Sequence, residues 1–337
     1  MLEGIYAGGA RIVAIARGLV AALLIGGFAA ALQSGAAQAA WPDHPIRFVL
    51  PFGPGGVADV TARIVADKLG QKLGQRVVVE NMPGPGGINA ARTVVTAPSD
   101  GYTLGLITNG TAISVAAFNA LPFDPVKQFE MISTLGLFDL VFAVNAQSDY
   151  KTLGDFLKAA KANPGKLNIG TIVVGSTQDL GAELFKSMAN INVIIVPFKN
   201  SPDVVVALLR NDVQMLVEFP PAIQGQVNDN KLRVLASSSP KRTPLAPDVP
   251  TVSESGVMGY EVESWNGVFA PKGTPKEVVD KVHKAMHEIL AQDDIKASFA
   301  KVGVIARAST PEELMGRLTS DIKKWNAVID KAGLPRK

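Results

Sequence analysis

The chain of 337 residues contains no cysteine, and this absence excludes several kinds of site. Without a thiol there is no disulfide framework, thiolate zinc site, iron–sulfur cluster, cysteine nucleophile or lipid-modified N-terminal cysteine. Histidine is scarce, and His283 and His287, four residues apart, lack the glutamate of a zinc protease motif. The Gly-x-Ser-x-Gly elbow of a serine hydrolase does not occur. We therefore expect no catalytic centre, no metal and no cofactor.

An excess of charge of one sign is also missing. Lys and Arg number 33 against 30 Asp and Glu, and both signs are interspersed along the chain. Binding to a phosphate backbone needs a basic stripe, so we expect no nucleic-acid partner. Hydrophobic residues make up 47% of the chain, which is enough for buried cores, and the length leaves room for about two domains.

The N-terminal segment has the pattern of a signal peptide. Arg11 and Arg17 precede an apolar run over residues 18–32, which leads to the small-x-small sequence Ala37-Gln38-Ala39. The run is shorter than the roughly 20 residues that span a bilayer. The sequence predicts that residues 1–39 are removed and that the mature protein is soluble in the periplasm; the alternative is a retained anchor.

After this segment, strand and helix patterns alternate. Residues 46–52 predict a buried strand, Gly53-Pro54-Gly55-Gly56 a loop, and apolar residues at helical spacing from Val57 a helix. The unit repeats with a strand over 76–80, the loop Gly84-Pro85-Gly86-Gly87 and a helix over 88–95. Strands that are apolar on both faces and joined by helices predict a parallel sheet. The fold class is therefore α/β.

The same alternation begins again after Val144 and predicts a second sheet. A Thr152–Asp155 capping box starts one helix, and Ser201-Pro202 is predicted to cap and start another. Two long extended stretches, residues 135–144 and 260–269, bracket this second unit. We predict two lobes joined by two crossing segments, with lobe 1 formed by residues 40–140 plus 265–337 and lobe 2 by residues 141–264.

The two glycine loops are candidate anion sites. A loop that leaves a parallel strand and opens a helix presents unpaired backbone N–H groups and the positive end of the helix dipole. Glycine permits close approach of a ligand and left-handed backbone angles. The alternative is that Pro-Gly-Gly only makes a tight turn. Two such loops, predicted on neighbouring strands, favour an oxyanion cradle.

A dinucleotide site is a second alternative. Gly53-x-Gly55-x-x-Ala58 matches a dinucleotide fingerprint, and Glu80 ends the next strand where an acid would hold a ribose. Pro51 and Pro54 weigh against it because they remove backbone donors, and export removes the chain from the cytoplasmic nicotinamide pool. An exported nucleotide-dependent oxidoreductase therefore stays the minor hypothesis.

A family resemblance emerges from motifs spread along the chain from about Trp41 to the C-terminus. The run from Pro51 to Arg63 resembles the first loop and helix of the Bug family, the extracytoplasmic solute receptors of tripartite tricarboxylate transporters. Further motifs in the family order are Val79-Glu80-Asn81, Asp100-Gly101-Tyr102-Thr103, Leu121-Pro122-Phe123-Asp124-Pro125, Pro247-Asp248-Val249-Pro250-Thr251 and Trp265-x-Gly267-Val268-Phe269-Ala270-Pro271.

This resemblance implies a type II-like periplasmic binding protein, a monomer that closes on a small mono- or dicarboxylate and presents it to the permease subunits of a tripartite tricarboxylate transporter. A sensor that feeds a signalling partner is an alternative use of the same fold. The ligand-binding residues implied by the resemblance and by the loops are Phe52, Gly53, Pro54, Gly55, Gly56, Asp59, Thr108, Gly110, Thr111, Gly175, Ser176, Thr177, Phe198 and Glu218.

Some positions depart from the family pattern. Val57 replaces a hydroxyl residue, which favours a ligand with an apolar or aromatic body. Asp179 fits a Ser-x-x-Asp capping box with Ser176 better than a ligand contact. Glu218 could repel a second carboxylate or accept from a ligand donor, or it could simply be exposed to solvent. Phe52 and Phe198 fit core packing as well as stacking on a ligand.

Overall fold

The computed structural model describes residues 41–172 and 174–336, and the predicted signal peptide lies outside them. Residues 41–43 form neither helix nor strand, and regular structure begins with the first strand at Ile46. Among the described helices, none combines the length and the apolar character needed to cross a membrane.

The chain from His44 onward builds two β-sheets with helices packed against them, which gives the predicted two-lobed α/β architecture. The strands are β1 (Ile46–Leu50), β2 (Val77–Asn81), β3 (Thr103–Thr108), β4 (Phe129–Asp139), β5 (Val141–Asn145), β6 (Asn168–Ile172), β7 (Ile194–Phe198), β8 (Met215–Glu218), β9 (Leu232–Ser237), β10 (Glu263–Pro271) and β11 (Ile305–Ala306). The first sheet has the order β11-β4-β10-β3-β1-β2, and the second has the order β7-β6-β8-β5-β9.

The predicted parallel pairing is present in only part of each sheet, because both sheets are mixed. β1 pairs in parallel with β2 and β3, and β6 pairs in parallel with β7 and β8. β10 runs antiparallel to both β3 and β4, whereas β5 runs antiparallel to β8 and β9. β5 and β10 are the strands at which the chain enters the other sheet. The described segments between β4 and β5 and between β9 and β10 contain no helix, so the helix crossover that enforces parallel pairing is absent there. The two-residue strand β11 also pairs antiparallel with β4.

Eleven α-helices surround the sheets in the described part of the chain. They are α1 (Val57–Leu73), α2 (Ile88–Val95), α3 (Asn109–Ala117), α4 (Pro125–Gln128), α5 (Leu153–Ala162), α6 (Thr177–Ala189), α7 (Ser201–Leu209), α8 (Pro220–Asn228), α9 (Lys276–Leu290), α10 (Asp293–Ala300) and α11 (Pro311–Ala332). A short 3₁₀ helix spans Pro85–Gly87. The Thr152–Asp155 capping box is confirmed at α5.

The helix cap predicted at Ser201 is wrong by one residue. Asn200 is the cap of α7, and its side-chain oxygen accepts from Asp203 N at 2.9 Å. An Asn side chain fills this position as well as Ser does. Ser201 becomes the first helical residue, and its hydroxyl is free to bind elsewhere in lobe 2.

The C-terminal helix α11 packs against helices of both lobes. It contacts α3 and β4 on the side of the first sheet and α6 on the side of the second. Trp325, Val328 and Ile329 of α11 belong to a buried apolar cluster that also contains Leu180 and Phe185 of α6. The apolar core is therefore continuous from one lobe to the other.

Candidate functional site

The two glycine loops lie side by side, as predicted. β1 and β2 are parallel neighbours, so the loops that follow them emerge at the same edge of the first sheet. Gly55 has a φ of 89°, and Gly86 and Gly87 have φ values of 61° and 68°, so three positions use the left-handed angles that glycine allows. Added Cβ atoms at Gly53, Gly55 and Gly56 would meet no atom within 4 Å, which leaves that loop open on its outer side.

Asp59 holds the first loop from behind. Its carboxylate accepts from Gly55 N at 2.9 Å, from Asn81 Nδ2 at 2.9 Å and from Arg63 Nε at 3.0 Å. Asn81 also donates to Phe52 O at 3.0 Å, so both ends of the loop are tied to this cluster. Hydrogen bonding from Arg63 lowers the pKa of Asp59 to about 2. The carboxylate of Asp59 is thus used within the protein and positions the loop.

The helix that follows the first loop begins without a side-chain cap. Gly56 is the N-cap of α1 and has no side chain to accept from the first turn, and the first backbone bond into the helix is Val60 N to Gly56 O. The N–H groups of Val57, Ala58 and Asp59 therefore meet no acceptor among the described residues. Together with the helix dipole they make the start of α1 positive, because the acidic residue of the first turn, Asp59, is paired with Arg63.

The lobe-2 loop makes the same backbone hydrogen bond as the first loop, but the charges around it differ. Gly175, with a φ of 82°, donates its N–H to Asp179 Oδ2 at 2.9 Å, four residues ahead, as Gly55 does to Asp59. Ser176 caps α6 by accepting from Asp179 N at 3.1 Å and donates to Ile172 O at 2.7 Å. The other partner of the Asp179 carboxylate is the Thr171 hydroxyl, and burial raises the pKa of Asp179. One half of the predicted capping box is present.

Glu218 is buried rather than solvent-exposed, with 1% of its surface accessible. Its carboxylate accepts from Gln178 Nε2 at 2.7 Å, from Ser201 Oγ at 2.6 Å and from its neighbour Phe219 N at 2.7 Å. The solvent-exposed alternative is therefore wrong, because three neutral donors replace water around this charge. The arrangement joins the starts of α6 and α7 within lobe 2.

A hydrogen bond crosses directly between the lobes. Asn109, at the start of α3 in lobe 1, donates from Nδ2 to Thr177 Oγ1 at 3.2 Å, at the start of α6 in lobe 2. Trp325 Nε1 donates to Asn109 Oδ1 at 2.9 Å and so fixes which way the amide points. Asn109 is 1% exposed, which places this chain of bonds in the interior.

A cavity of about 600 Å³ lies where the lobes face each other. Six of the predicted site residues line it: Phe52, Thr108, Gly110, Thr111, Gly175 and Ser176. Gly84, Gly86 and Gly87 of the second loop line it as well, and this volume suits a small organic ligand.

The remaining predicted residues lie outside the lining. Gly53, Pro54, Gly55 and Gly56 follow Phe52 in the first loop, and Asp59 lies behind them. Thr177 makes the hydrogen bond between the lobes. Phe198 packs against the lobe-2 core and Glu218 is buried beneath α6.

Several lining residues have no local signal in the sequence. Val174 follows a buried strand and resembles core, yet it is 49% exposed at the cavity. Phe118 and Ile329 reach the cavity from α3 and α11, and only tertiary packing brings them there. Ser114 of α3 contacts Gly86 O at 3.0 Å and Gly110 O at 2.8 Å, so it links the second loop to α3.

A second cavity, of about 780 Å³, lies apart from these loops. Pro220 and Pro221 of α8, Leu232 of β9 and Leu245 are among its lining residues, and none of the predicted site residues is. Within the described residues, acidic and histidine side chains form no cluster that could hold a metal ion.

In the dinucleotide hypothesis Glu80 would bind the ribose, but Glu80 is already paired within the protein. Both oxygens of Glu80 accept from Arg47, at 2.9 Å from Nε and at 2.7 Å from Nη2, across neighbouring strands. This bond to Arg47 lowers the pKa of Glu80. The acid that the fingerprint needs is therefore committed to a strand-to-strand ion pair.

Comparison with known proteins gives one consistent result. The family model of the tripartite tricarboxylate transporter family receptor, TctC, matches residues 61–334. Protein BugT of Bordetella pertussis is 30% identical over 295 residues, which cover 87% of this chain and 90% of BugT. A UPF0065 protein of Cupriavidus necator is 32% identical over 322 residues, which cover 96% of this chain and 98% of that protein.

Solved structures agree with this family match. Rpa4515 of R. palustris with adipate superimposes with a TM-score of 0.75 and 30% identity, covering 87% of this chain and 98% of that structure. MatC of Rhodopseudomonas palustris with bound malate gives a TM-score of 0.72 and 28% identity, covering 86% of this chain and all of that structure. These family members and structural relatives are solute-binding receptors rather than enzymes.

Proposed function

Since this chain belongs to the TctC family of periplasmic solute receptors, we propose that it captures a small organic carboxylate between its lobes and delivers it to a tripartite permease. The observation that carries the proposal is the uncapped start of α1, whose N-cap Gly56 comes four residues after Phe52 in the wall of the interlobe cavity. Three N–H groups and the helix dipole there match the charge and the acceptors of a carboxylate. The adipate and malate in the related structures support this chemistry.

The proposal includes the export and the movement of the protein. Residues 1–39 act as the signal peptide, and the mature chain works as a periplasmic monomer. Residues 40–140 with 265–337, and residues 141–264, move as the two lobes. This division is supported by the two sheets, because the chain changes sheet between Asp139 and Val141 and again between Ser237 and Glu263. Closure of such lobes around a ligand shifts an existing equilibrium toward the closed state.

The ligand residues proposed are the first loop from Phe52 to Gly56, the start of α3 and the lobe-2 loop. Thr108, Gly110 and Thr111 contribute from α3, and Gly175, Ser176 and Thr177 from lobe 2. Asp59 acts by holding Gly55 in place. Phe198 and Glu218 support the lobe-2 wall from behind.

The Gly56→Val variant tests the carboxylate site. Gly56 has a φ of −78° and an extended ψ, so valine fits the backbone, and its Cβ would meet no atom within 4 Å. The isopropyl group would obstruct access to the first-turn donors of α1. Calorimetry with hexanoate, a plain monocarboxylate, should show at least a tenfold loss of affinity in a protein that unfolds at nearly the normal temperature.

The matched control is Gly225→Val in α8, another glycine with open space around it. It should bind hexanoate like the unmodified protein. Equal affinities in the Gly56→Val protein and the unmodified protein would show that the loop is a turn and not the carboxylate site.

A further inference from the structure

Among the described residues, those that line the interlobe cavity include no charged side chain. Its polar side chains are hydroxyls of Ser and Thr, and the rest of the lining is glycine backbone and apolar groups. The lining includes five phenylalanine rings, from Phe52, Phe118, Phe123, Phe129 and Phe269. The described part of the wall therefore offers a ligand no Lys or Arg to pair with a second negative charge.

Two exposed apolar side chains face the cavity, one from each lobe. Phe52 is 42% exposed on the first loop, and Val174 is 49% exposed next to Gly175. Exposed large hydrophobic groups that line the same cavity offer apolar surface that a ligand can cover. Burial of this surface by an apolar or aromatic ligand body would add directly to affinity.

The electrostatics of the two cavity ends differ in sign. At lobe 1 the negative charge of Asp59 is paired with Arg63 at 2.9 Å, so the uncapped start of α1 stays positive. At lobe 2 the carboxylate of Asp179 lies one hydrogen bond behind Gly175, and all of its hydrogen bonds in the described structure come from neutral groups. Glu218, buried beneath the same helix start, is likewise held by neutral donors.

We propose, building on the carboxylate-binding function above, that the ligand is a monocarboxylate with an apolar or aromatic body and that Asp179 makes lobe 2 reject a second carboxylate. The ligand carboxylate lies at the start of α1, and its body lies between Phe52 and Val174. A second carboxylate would enter an apolar chamber without a counter-ion and face the charge of Asp179. Both effects raise the free energy of the bound dicarboxylate. Asp179 acts here as a positioning residue for Gly175 and as a source of repulsion.

A matched pair of ligands tests the proposal. Hexanoate and adipate have the same six-carbon chain and differ only in whether the far end is a methyl group or a carboxylate. Calorimetry on the full mature protein at neutral pH should show hexanoate binding at least tenfold more tightly than adipate, and 3-phenylpropionate binding at least as tightly as hexanoate. Adipate binding as tightly as hexanoate, or more tightly, would overturn the proposal while leaving the carboxylate-binding function intact.

The Asp179→Asn variant tests the repulsion directly. Asparagine keeps an oxygen acceptor for Gly175 N but removes the charge, so adipate affinity should rise at least threefold while hexanoate affinity stays within twofold. A loss of local structure would weaken both ligands together. Asp203→Asn, at an exposed site in the first turn of α7, is the matched control and should change neither affinity.

The Phe52→Ala variant tests the apolar end and does not depend on lobe 2. Because Phe52 is largely exposed, the variant should fold, and 3-phenylpropionate should lose at least fivefold in affinity. An unchanged affinity would contradict the placement of the ligand body. If none of the three carboxylates binds to the folded, unmodified protein, the proposed function itself fails, and this inference fails with it.

Discussion

The loops that open α1 in lobe 1 and α6 in lobe 2 share one backbone geometry and differ in charge. In lobe 1, Gly55 donates to Asp59, and in lobe 2, Gly175 donates to Asp179, both at 2.9 Å and both four residues ahead. The N-cap residues Gly56 and Ser176 have nearly the same angles, −78° and 170° against −71° and 164° for φ and ψ. The two loops therefore have nearly the same backbone conformation.

The side chains give the loops different tasks. Arg63 balances Asp59, and glycine leaves the helix start of α1 uncapped. Among the described residues no cation pairs with Asp179, and Ser176 occupies a first-turn donor of α6. Whether such a loop can bind an anion therefore depends less on its backbone shape than on which N–H donors are free and which charges are balanced.

The largest effect on the free energy of unfolding is expected at a third carboxylate, Asp139. Like Asp179 it has no cation partner in the described part of the chain, and it lies opposite Glu263 on the neighbouring strand where the chain leaves lobe 1. Burial, with a smaller contribution from Glu263, raises its pKa from 3.8 to about 7. Glu263 itself is paired with Arg317 at 2.8 Å.

The sign of the pH effect at Asp139 follows from this raised pKa. Between about pH 4 and pH 7 the unfolded chain has lost the proton and the folded chain keeps it, so stability falls as pH rises through this window. At about 1.4 kcal/mol per pKa unit the total is about 4 kcal/mol. Urea unfolding from pH 4 to pH 8 should show this fall, and Asp139→Asn should remove it. A similar slope in both proteins would contradict the assignment, and Asp203→Asn is the control.

The next largest effect is expected from Asp59→Asn, which breaks the charge balance of lobe 1. The variant weakens the bonds to Arg63 and Gly55 and should cost about 2 kcal/mol, since hydrogen bonds to charged groups are the stronger class. The corresponding Asp179→Asn removes a buried charge without a cation and should change stability by less than about 0.5 kcal/mol at pH 7 or raise it. Denaturant unfolding of the two variants measures both changes in the free energy of unfolding. Equal losses of stability would mean that the two acids are equivalent.

A smaller effect, about 1 kcal/mol, is expected from Trp325→Phe, which tests the contact between the two lobes. The ring packing remains, but Asn109 loses the donor that orients its amide toward Thr177. Small-angle scattering of the ligand-free variant should show a larger radius of gyration. Trp265→Phe, which removes a bond to Asp321 within lobe 1, is the control: it should lower stability without changing the radius.

The smallest effect on stability is expected from Gly56→Ser, which makes lobe 1 resemble lobe 2. A serine N-cap exceeds glycine by only a few tenths of a kcal/mol, so α1 should gain slightly. The same hydroxyl would occupy the N–H of Asp59, and hexanoate affinity should fall severalfold. Greater stability together with unchanged affinity would show that this donor does not serve the ligand.

The sequence alone predicts the parts of the molecule whose determinants are local. The helix over residues 88–95 occurs with the predicted bounds, because the loop Gly84-Pro85-Gly86-Gly87 delimits its start. The neighbouring glycine loops were also predictable, since a short strand-loop-helix unit places consecutive parallel strands together.

Features that depend on contacts distant in sequence could not be predicted. The antiparallel β10 and the path of α11 across both lobes arise from segments more than a hundred residues apart. The charge difference between the loops could not be predicted from the sequence either, because the cluster of Arg63, Asn81 and Asp59 forms only when β2 pairs with β1. Helix α8 begins at a Pro-Pro pair that resembles a loop in the sequence.

The position of β10 also has a consequence for folding. In the first sheet it lies between β4 and β3, both of which come from the first half of the chain. Before residues 263–271 are available, β3 and β4 each have an open edge, and such edges readily pair with other chains. Pairing over a separation of more than 120 residues is slow, because a long loop must close before any contact is gained. The contiguous strands of the second sheet should therefore acquire protection from hydrogen exchange earlier than β3 and β4, and a chain truncated before Glu263 should aggregate.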